Sequence, residues 1–469
     1  MSDRTSLWAP QAWLPHDDRA GGGRWAEAVL LRVDATGHWA EVRERTTPPE
    51  GATHLPGPVL PGLVDAHSHA FQRAFAGLAE RRLSAHDDFW SWRDRMYAVA
   101  LRITPPQLRA VAAQLYAELL AGGYTQVCEF HYLHHAPDGR PHDDPFAMGL
   151  ALAGAAAEAG IGLTLLPVLY QRAGFAQPQL RDDQRRFATD VETVLALRDA
   201  ARELRQPLVN AGVAIHSLRA ALPEDIHALR GHVAVDPGPL HIHVAEQTGE
   251  VDDCVATTGA RPIQYLCDTL APDARWQLVH ATHATPREID AVARSGAGIV
   301  ICPATEANLG DGLTDLAGWL RAGVPIAIGS DSHVVRHWPQ ELRWLEYGQR
   351  LLHRKRNVAA APGRQDATAA RLFDAALAAG APAAGQTRWG LVAGARADAL
   401  VLDMRAPGLL GIPPGHALDA FVFAGTEPAL HEVLVAGRVV LRDGRHTAQD
   451  AIGDAFADAM QALWSDAAQ

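Results

Sequence analysis

Eight short apolar stretches recur through the middle of the chain, at 59–66, 124–131, 161–170, 212–216, 239–244, 276–281, 297–302 and 324–330. Helix-length segments separate them, including 105–121, 144–159, 189–205, 262–270, 286–295, 313–322 and 338–356. Near-continuous apolar strands alternating with helices suit a parallel sheet covered by its own crossover helices. Eight such units predict an α/β fold closed as a (β/α)8, TIM-like barrel, with an open doubly wound sheet as the weaker alternative. Neither GxGxxG nor GxxxxGK(S/T) follows any of the strands, which counts against a nucleotide-binding open sheet.

The flanks follow another pattern. Residues 28–33 and 39–42 are strand candidates around Asp34-Ala35-Thr36-Gly37, a hairpin signal. Residues 398–402, 420–423 and 432–441 are further strand candidates, the last interrupted by the turn Val435-Ala436-Gly437-Arg438. A small β-sandwich built from both termini, 1–58 with 390–469, beside a barrel at 59–389 is the economical expectation. Residues 171–188 and 357–366 read as polar loops. The apolar window from Ala147 to Tyr170 is interrupted by Glu158 and Gly160, so it predicts a buried helix followed by a strand rather than a membrane span.

In a barrel of this kind the chemistry sits where strands end, so polar residues there are the ones to weigh. The first strand runs into His67-Ser68-His69, whose imidazoles at i and i+2 share one face of a strand. With 23 histidines in 469 residues, chance alone yields roughly one His-x-His, so the pair is weak evidence by itself. The second strand ends in Glu129-Phe130-His131-Tyr132, the fourth in His216-Ser217-Leu218-Arg219 and the fifth in His241-Ile242-His243-Val244-Ala245-Glu246. The sixth ends in His280-Ala281-Thr282-His283 and the eighth in Ser330-Asp331-Ser332-His333. Histidine or acid at six of eight strand ends is far more specific than any single motif. Imidazoles with a carboxylate form a nitrogen/oxygen shell suited to zinc and to metal-assisted hydrolysis. Glu246, three residues past His243, is placed to shuttle protons, and His280 to steady a bound water or polarise the reacting group.

Composition narrows the setting. A net charge of −12 argues against a general nucleic-acid or anionic-membrane binder. Four cysteines without CxxC spacing, and no apolar leader at the N-terminus, predict reduced thiols in a cytoplasmic protein. The one lysine, Lys355, lies in the run Arg354-Lys355-Arg356, so no strand-end lysine is available to bridge two metals.

His67-Ser68-His69, His243-x-x-Glu246, His280 and Ser330-Asp331 resemble, in order and spacing, the amidohydrolase superfamily and particularly its single-metal deaminases. Gly62-Leu63-Val64-Asp65 and Gly394-Ala395-Arg396-Ala397-Asp398 fit the same pattern. Ser68-His69-Ala70-Phe71-Gln72-Arg73, Phe89-Trp90-Ser91-Trp92-Arg93, Glu129-Phe130-His131-Tyr132, Thr305-Glu306-Ala307-Asn308-Leu309-Gly310 and 341–350 are similar to the formimidoylglutamate deiminases within it. The resemblance implies hydrolysis of N-formimino-L-glutamate to N-formyl-L-glutamate and ammonia, a step of histidine breakdown. It implies one divalent metal ion, zinc by preference, held by His67, His69, His243 and Asp331. Glu246 and His280 become the acid/base pair, with Asp331 assisting in activating water. Gln72, Arg93, Tyr132, His216 and Arg219 become substrate contacts, and the two arginines suit a small-molecule dicarboxylate. A homodimer is expected.

Alternatives stay open at this point. His241 competes with His243 on the fifth strand, and reads better as a hydrogen-bonded core residue. His283 and His333 read as loop or supporting histidines, and His134 and His135 as surface residues. Glu129 is either a metal bridge in a two-metal site or an acid with a structural or substrate-facing role, the second being preferred. Trp90 and Trp92 read as packing, with a lid as the alternative. The rival functions are deamination of a guanine-, cytosine- or triazine-like ring and, more remotely, non-catalytic metal binding.

Overall fold

The computed structural model describes residues 5–16, 22–80, 89–425 and 429–465. Eight parallel strands, Leu63–Ser68, Tyr124–His131, Gly162–Leu169, Val213–Ser217, Leu240–Val244, Trp276–His280, Gly298–Ile301 and Ile326–Ile328, hydrogen-bond in chain order. The ring closes past the last strand. Ser68 and Asp331 form a parallel bridge, Asp331 N–H donates to His67 C=O at 2.9 Å, and His69 N–H donates to Asp331 C=O at 3.3 Å. Every residue of Tyr124–His131 and of Gly162–Leu169 is buried. Side chains on both faces of these strands therefore leave water, which explains why the strands read as apolar runs.

The covering helices carry recognisable ends. Pro286–Ser295 begins at Thr285, whose hydroxyl accepts from Glu288 N–H while Glu288 accepts from Thr285 N–H at 2.8 Å. This reciprocal cap satisfies two otherwise orphaned donors, and Gly296 ends the helix at φ +79°, where a side chain would be strained. Ala147–Ala159 is a buried helix followed by the third barrel strand, as expected for that apolar window. Among the described residues no helix is long and apolar enough to cross a membrane.

The termini combine into one nine-stranded sheet beside the barrel. Val59–Leu60 joins its halves, lying parallel to Ser6–Pro15 and antiparallel to Ala399–Leu402. The stretch 59–66 therefore divides at Pro61-Gly62, its first residues belonging to this sheet and the rest to the barrel. Leu7, Val29, Leu31, Trp39, Val401 and Leu434 form a core separate from that of the barrel. The hairpin of Gly23–Val33 with Trp39–Arg43 and the turn at 435–438 match expectation.

Two expectations fail at the C-terminal flank. Residues 420–423 lie in the helix Ala417–Phe423, and a further helix, Gln449–Trp464, shows that this flank is not all-β. The Ala-Phe-Val-Phe run has strand-like composition, but tertiary packing decides its state. Phe421 stacks edge-on against Trp338 at 5.3 Å, and Arg343 Nε donates to the carbonyl of Val422 at 2.6 Å.

Candidate active site

Strand ends deliver a cluster of donor atoms. His67 Nε2 lies 3.1 Å from His69 Nε2 and 2.9 Å from His243 Nε2. Asp331 Oδ1 lies 3.6 Å from His67 Nε2 and 3.4 Å from His69 Nε2. A tetrahedral shell with bonds of about 2.0–2.1 Å places neighbouring donors about 3.3 Å apart, so these separations fit a divalent metal.

The tautomers reinforce that reading. His69 Nδ1 lies 3.0 Å from the carbonyl of Phe130, and His243 Nδ1 lies 2.9 Å from that of His216. A carbonyl only accepts, so both Nδ1 atoms carry the proton and both Nε2 lone pairs point into the cluster. Burial pushes His69 down to about 3 and holds His67 and His243 well below the ordinary imidazole range. Neutral nitrogens with converging lone pairs repel unless a cation sits between them.

Carboxylates crowd the same place. His280 Nε2 faces Glu246 Oε1 at 3.7 Å and Asp331 Oδ2 at 3.9 Å, while its Nδ1 faces Glu306 Oε1 at 3.4 Å. Burial opposes charge on His280, but Glu246, the Glu306 hydrogen bond and Asp331 together push it up to about 10. Asp331 is pushed up to about 7, chiefly by burial, with the Glu246 and Glu306 charges adding to it against His280. Asp311 is also buried nearby, and burial with the Glu246 charge pushes it up to about 9. Four buried acids around one imidazolium cost several kcal/mol in a dry interior, and a divalent cation offsets that cost. His280 and Asp331 also occupy positive φ, +70° and +52°, conformations held here by the surrounding ring of strands.

A cleft of about 560 Å³ opens onto this cluster. It is lined by His69, Gln72, Arg93, Tyr132, His216, Arg219, His243, Glu246, His280 and Asp331, and His67 lies fully buried behind it. All the sequence-predicted site residues therefore meet in one place. Gln72 Nε2 donates to Tyr132 Oη at 3.1 Å, and Arg93 stands over the ring of Tyr97 at 5.6 Å.

Other histidines and acids sort themselves out. His241 Nε2 donates to the carbonyl of Ala383 at 2.9 Å and is buried in the core. His333 lies beneath the cluster, 3.0 Å from Ser330 Oγ. The Glu129 carboxylate accepts from Ser68 Oγ at 2.8 Å, Ala70 N–H at 2.6 Å and Tyr116 Oη at 3.2 Å, so both its oxygens brace the His67–His69 segment. His134 is buried against His131 at 4.7 Å between ring centroids, not on the surface as its polarity suggested. Trp92 lines the cleft, whereas the Trp90 side chain lies outside the described residues.

Sequence reasoning missed Tyr97, Tyr170, Phe187 and Thr305 in the cleft wall, and Glu306 behind His280. Tyr170 directly follows the third strand and Glu306 lies just past the seventh, so extending the strand-end inspection to aromatics and to the next helical turn finds both.

A profile of the amidohydrolase family matches residues 59–440. The chain is 46% identical over 465 residues to a formimidoylglutamate deiminase of Pseudomonas aeruginosa, covering 98% of this chain and 99% of that one. Its fold superposes on a crystal structure of an amidohydrolase from Brucella melitensis with a TM-score of 0.91, at 41% identity and with 98% and 99% of the two chains covered. An adenosine deaminase from Xanthomonas campestris, with bound zinc, shares the fold at a TM-score of 0.79 and 22% identity, with 98% of each chain covered. A match across most of the chain, joined to this arrangement of strand-end histidines and acids, makes the protein a member of the amidohydrolase family.

Proposed function

We propose that the protein hydrolyses N-formimino-L-glutamate to N-formyl-L-glutamate and ammonia. The observation that carries this reading is one cleft lined both by the histidine–carboxylate cluster and by Arg93 and Arg219. A substrate with two carboxylates needs cationic donors beside its reacting carbon, and guanidinium groups supply them in fixed, fork-shaped geometry. A deaminase acting on a neutral heterocycle has no such need. The full-length identity to a formimidoylglutamate deiminase supports the same choice.

His67, His69, His243 and Asp331 would hold the metal ion. When bound, a single divalent cation, zinc in our reading, supplies Lewis acidity and makes a water nucleophilic near neutral pH. Asp331 takes a proton from the attacking water. Glu246 carries a proton to the imino nitrogen, so that nitrogen departs as ammonia while the formyl oxygen comes from water. His280 donates a hydrogen bond to the tetrahedral centre as charge develops there. Gln72, Tyr132 and His216 orient the formimino group and the chain carrying it, and Arg93 and Arg219 bind the carboxylates.

Ammonia release from a panel of N-formimino acids and amino-heterocycles, with metal analysis of the same sample, tests this reading. Selective turnover of heterocycles would overturn it. Four free cysteines support a cytoplasmic setting. Trp344, Leu351 and Leu352 leave an apolar face on the helix Trp338–His353, 51%, 79% and 56% exposed, which supports a homodimer that light scattering would test.

A further inference from the structure

One wall of the cleft holds a pair of tyrosines, Tyr97 and Tyr170, set by one amide. Gln184 is fully buried in the short helix Asp182–Phe187, and its Nε2 donates to Tyr170 Oη at 2.9 Å and to Tyr97 Oη at 3.1 Å. Its Oε1 accepts from the backbone N–H of Arg181 at 3.1 Å. A backbone N–H can only donate, so the amide cannot be reversed, and the NH2 group must face both phenols.

Each phenol oxygen therefore acts as an acceptor toward Gln184, which leaves its own proton to be donated elsewhere. Among the described residues neither proton has an acceptor, although both tyrosines line the cleft and are 4–5% exposed. A buried hydroxyl without an acceptor is a cost, and a ligand that supplies one recovers it. Burial pushes the Tyr170 phenol above its ordinary range, so it stays protonated. The charges of Arg93, Arg181 and Arg219 all bear on Tyr170, and Arg93 and Arg181 stand over the Tyr97 ring at 5.6 and 5.3 Å. Two hydroxyl donors that find no acceptor among the described residues, set among arginines, suit an acceptor-only anion.

We infer that Tyr97 and Tyr170 are specificity-determining residues whose hydroxyls donate to the substrate's side-chain carboxylate, and that Gln184 is the positioning residue that turns their protons into the cleft. This rests on the dicarboxylate reading above and extends it to residues that reading does not use. The chemistry recognised is a carboxylate in the wall between Arg93 and Arg219, not the formimino group.

Isosteric substitutions test it. Tyr97→Phe and Tyr170→Phe each remove one donor and should raise KM for N-formimino-L-glutamate about tenfold or more, with kcat changing less. N-formiminoglycine, which lacks the side-chain carboxylate, should lose far less. Gln184→Glu keeps the shape but replaces a donor with an acceptor, drawing both phenol protons away from the cleft, so its KM should rise more than that of either phenylalanine variant. A merely structural role for Gln184 predicts no such difference between the two substrates. Calorimetric binding of N-formyl-L-glutamate to each variant, loaded with zinc, separates the two ideas. Binding by wild type that weakens in the variants, without turnover, would sink the proposed reaction and leave the tyrosine assignment standing. Wild-type KM and affinity in the phenylalanine variants, equal losses on both substrates, or no dicarboxylate binding by wild type would overturn the assignment. Melting temperature and metal content identify any variant that fails to fold, and the two phenylalanine variants stand in for Gln184→Glu if it does.

Discussion

His280 Nδ1 lies 3.4 Å from Glu306 Oε1, while its Nε2 faces Glu246 and Asp331. Glu306 Oε1 also accepts from Cys302 N–H at 3.0 Å, which ties the carboxylate to the end of the seventh barrel strand. The pair fixes which way the His280 ring turns and favours its charged form, as the rise to about 10 indicates. Glu306→Gln keeps an acceptor but removes the charge, which takes away part of the about 1.5–3 kcal/mol that a hydrogen bond to a charged group contributes. The expected outcome is a fall in kcat of about tenfold or more with KM nearly constant and metal content unchanged. Steady-state kinetics with metal analysis checks this, and a change confined to KM would place Glu306 among substrate contacts instead.

Glu246→Gln should separate metal binding from chemistry. Glu246 lies beside His280 rather than among the close donor atoms of His67, His69, His243 and Asp331. Losing a general acid/base typically costs about 10²–10⁴ in rate. The variant should retain its full complement of metal and lose turnover by that factor. Loss of the metal in parallel with activity would make Glu246 a ligand.

How far the site can be read from the chain follows from where each residue sits. His67, His69, His243, Glu246, His280 and Asp331 are legible because a charged or metal-binding group at the end of a buried strand has no packing explanation. The barrel strands are legible for the related reason that both faces are dry, which leaves continuous apolar runs. Thr248–Thr258 is harder to see, because it buries just Glu250, Val251 and Cys254 and so shows little helical periodicity. Tyr97 is invisible for another reason. It reaches the cleft from the helix Phe89–Ala100, outside the strand ends, and an aromatic on a helix reads as core. Val59–Leu60 misleads because an apolar run cannot reveal that a proline–glycine step hands the chain from one sheet to another.

Chelation should destabilise the fold as well as stop turnover. Without a cation, the inward-facing Nε2 atoms of His67, His69 and His243 and the buried acids around His280 lose their counter-charge. A metal present at about a thousand times its Kd contributes about 4 kcal/mol to folding. Dialysis against a chelator should therefore lower the melting temperature measurably, and added zinc should restore both melting and activity. An unchanged melting curve after verified metal loss would show that the cluster is held by protein contacts alone.

Gly329 links barrel closure to the metal cluster. A β-carbon built there would lie 2.7 Å from His67 Cβ and 2.9 Å from the His67 carbonyl oxygen. Both contacts are too short, and neither partner is the loose end of a side chain. His67 is pinned in turn by the bond from Asp331 N–H to its carbonyl, and by Asp65, which accepts from Ser330 N–H at 2.8 Å. Gly329→Ala must therefore push the eighth strand away from the first at the point where Asp331 and His67 meet. Overpacking of this kind costs about 1–3 kcal/mol. The displacement also spoils donor separations that need to hold within a few tenths of an ångström. Gly329→Ala should melt earlier and bind zinc more weakly than wild type, whereas alanine at Gly453, in the helix Gln449–Trp464 and with nothing within 4 Å of an added β-carbon, should do neither. Wild-type zinc affinity in the Gly329 variant would show that the strand closure and the cluster move independently.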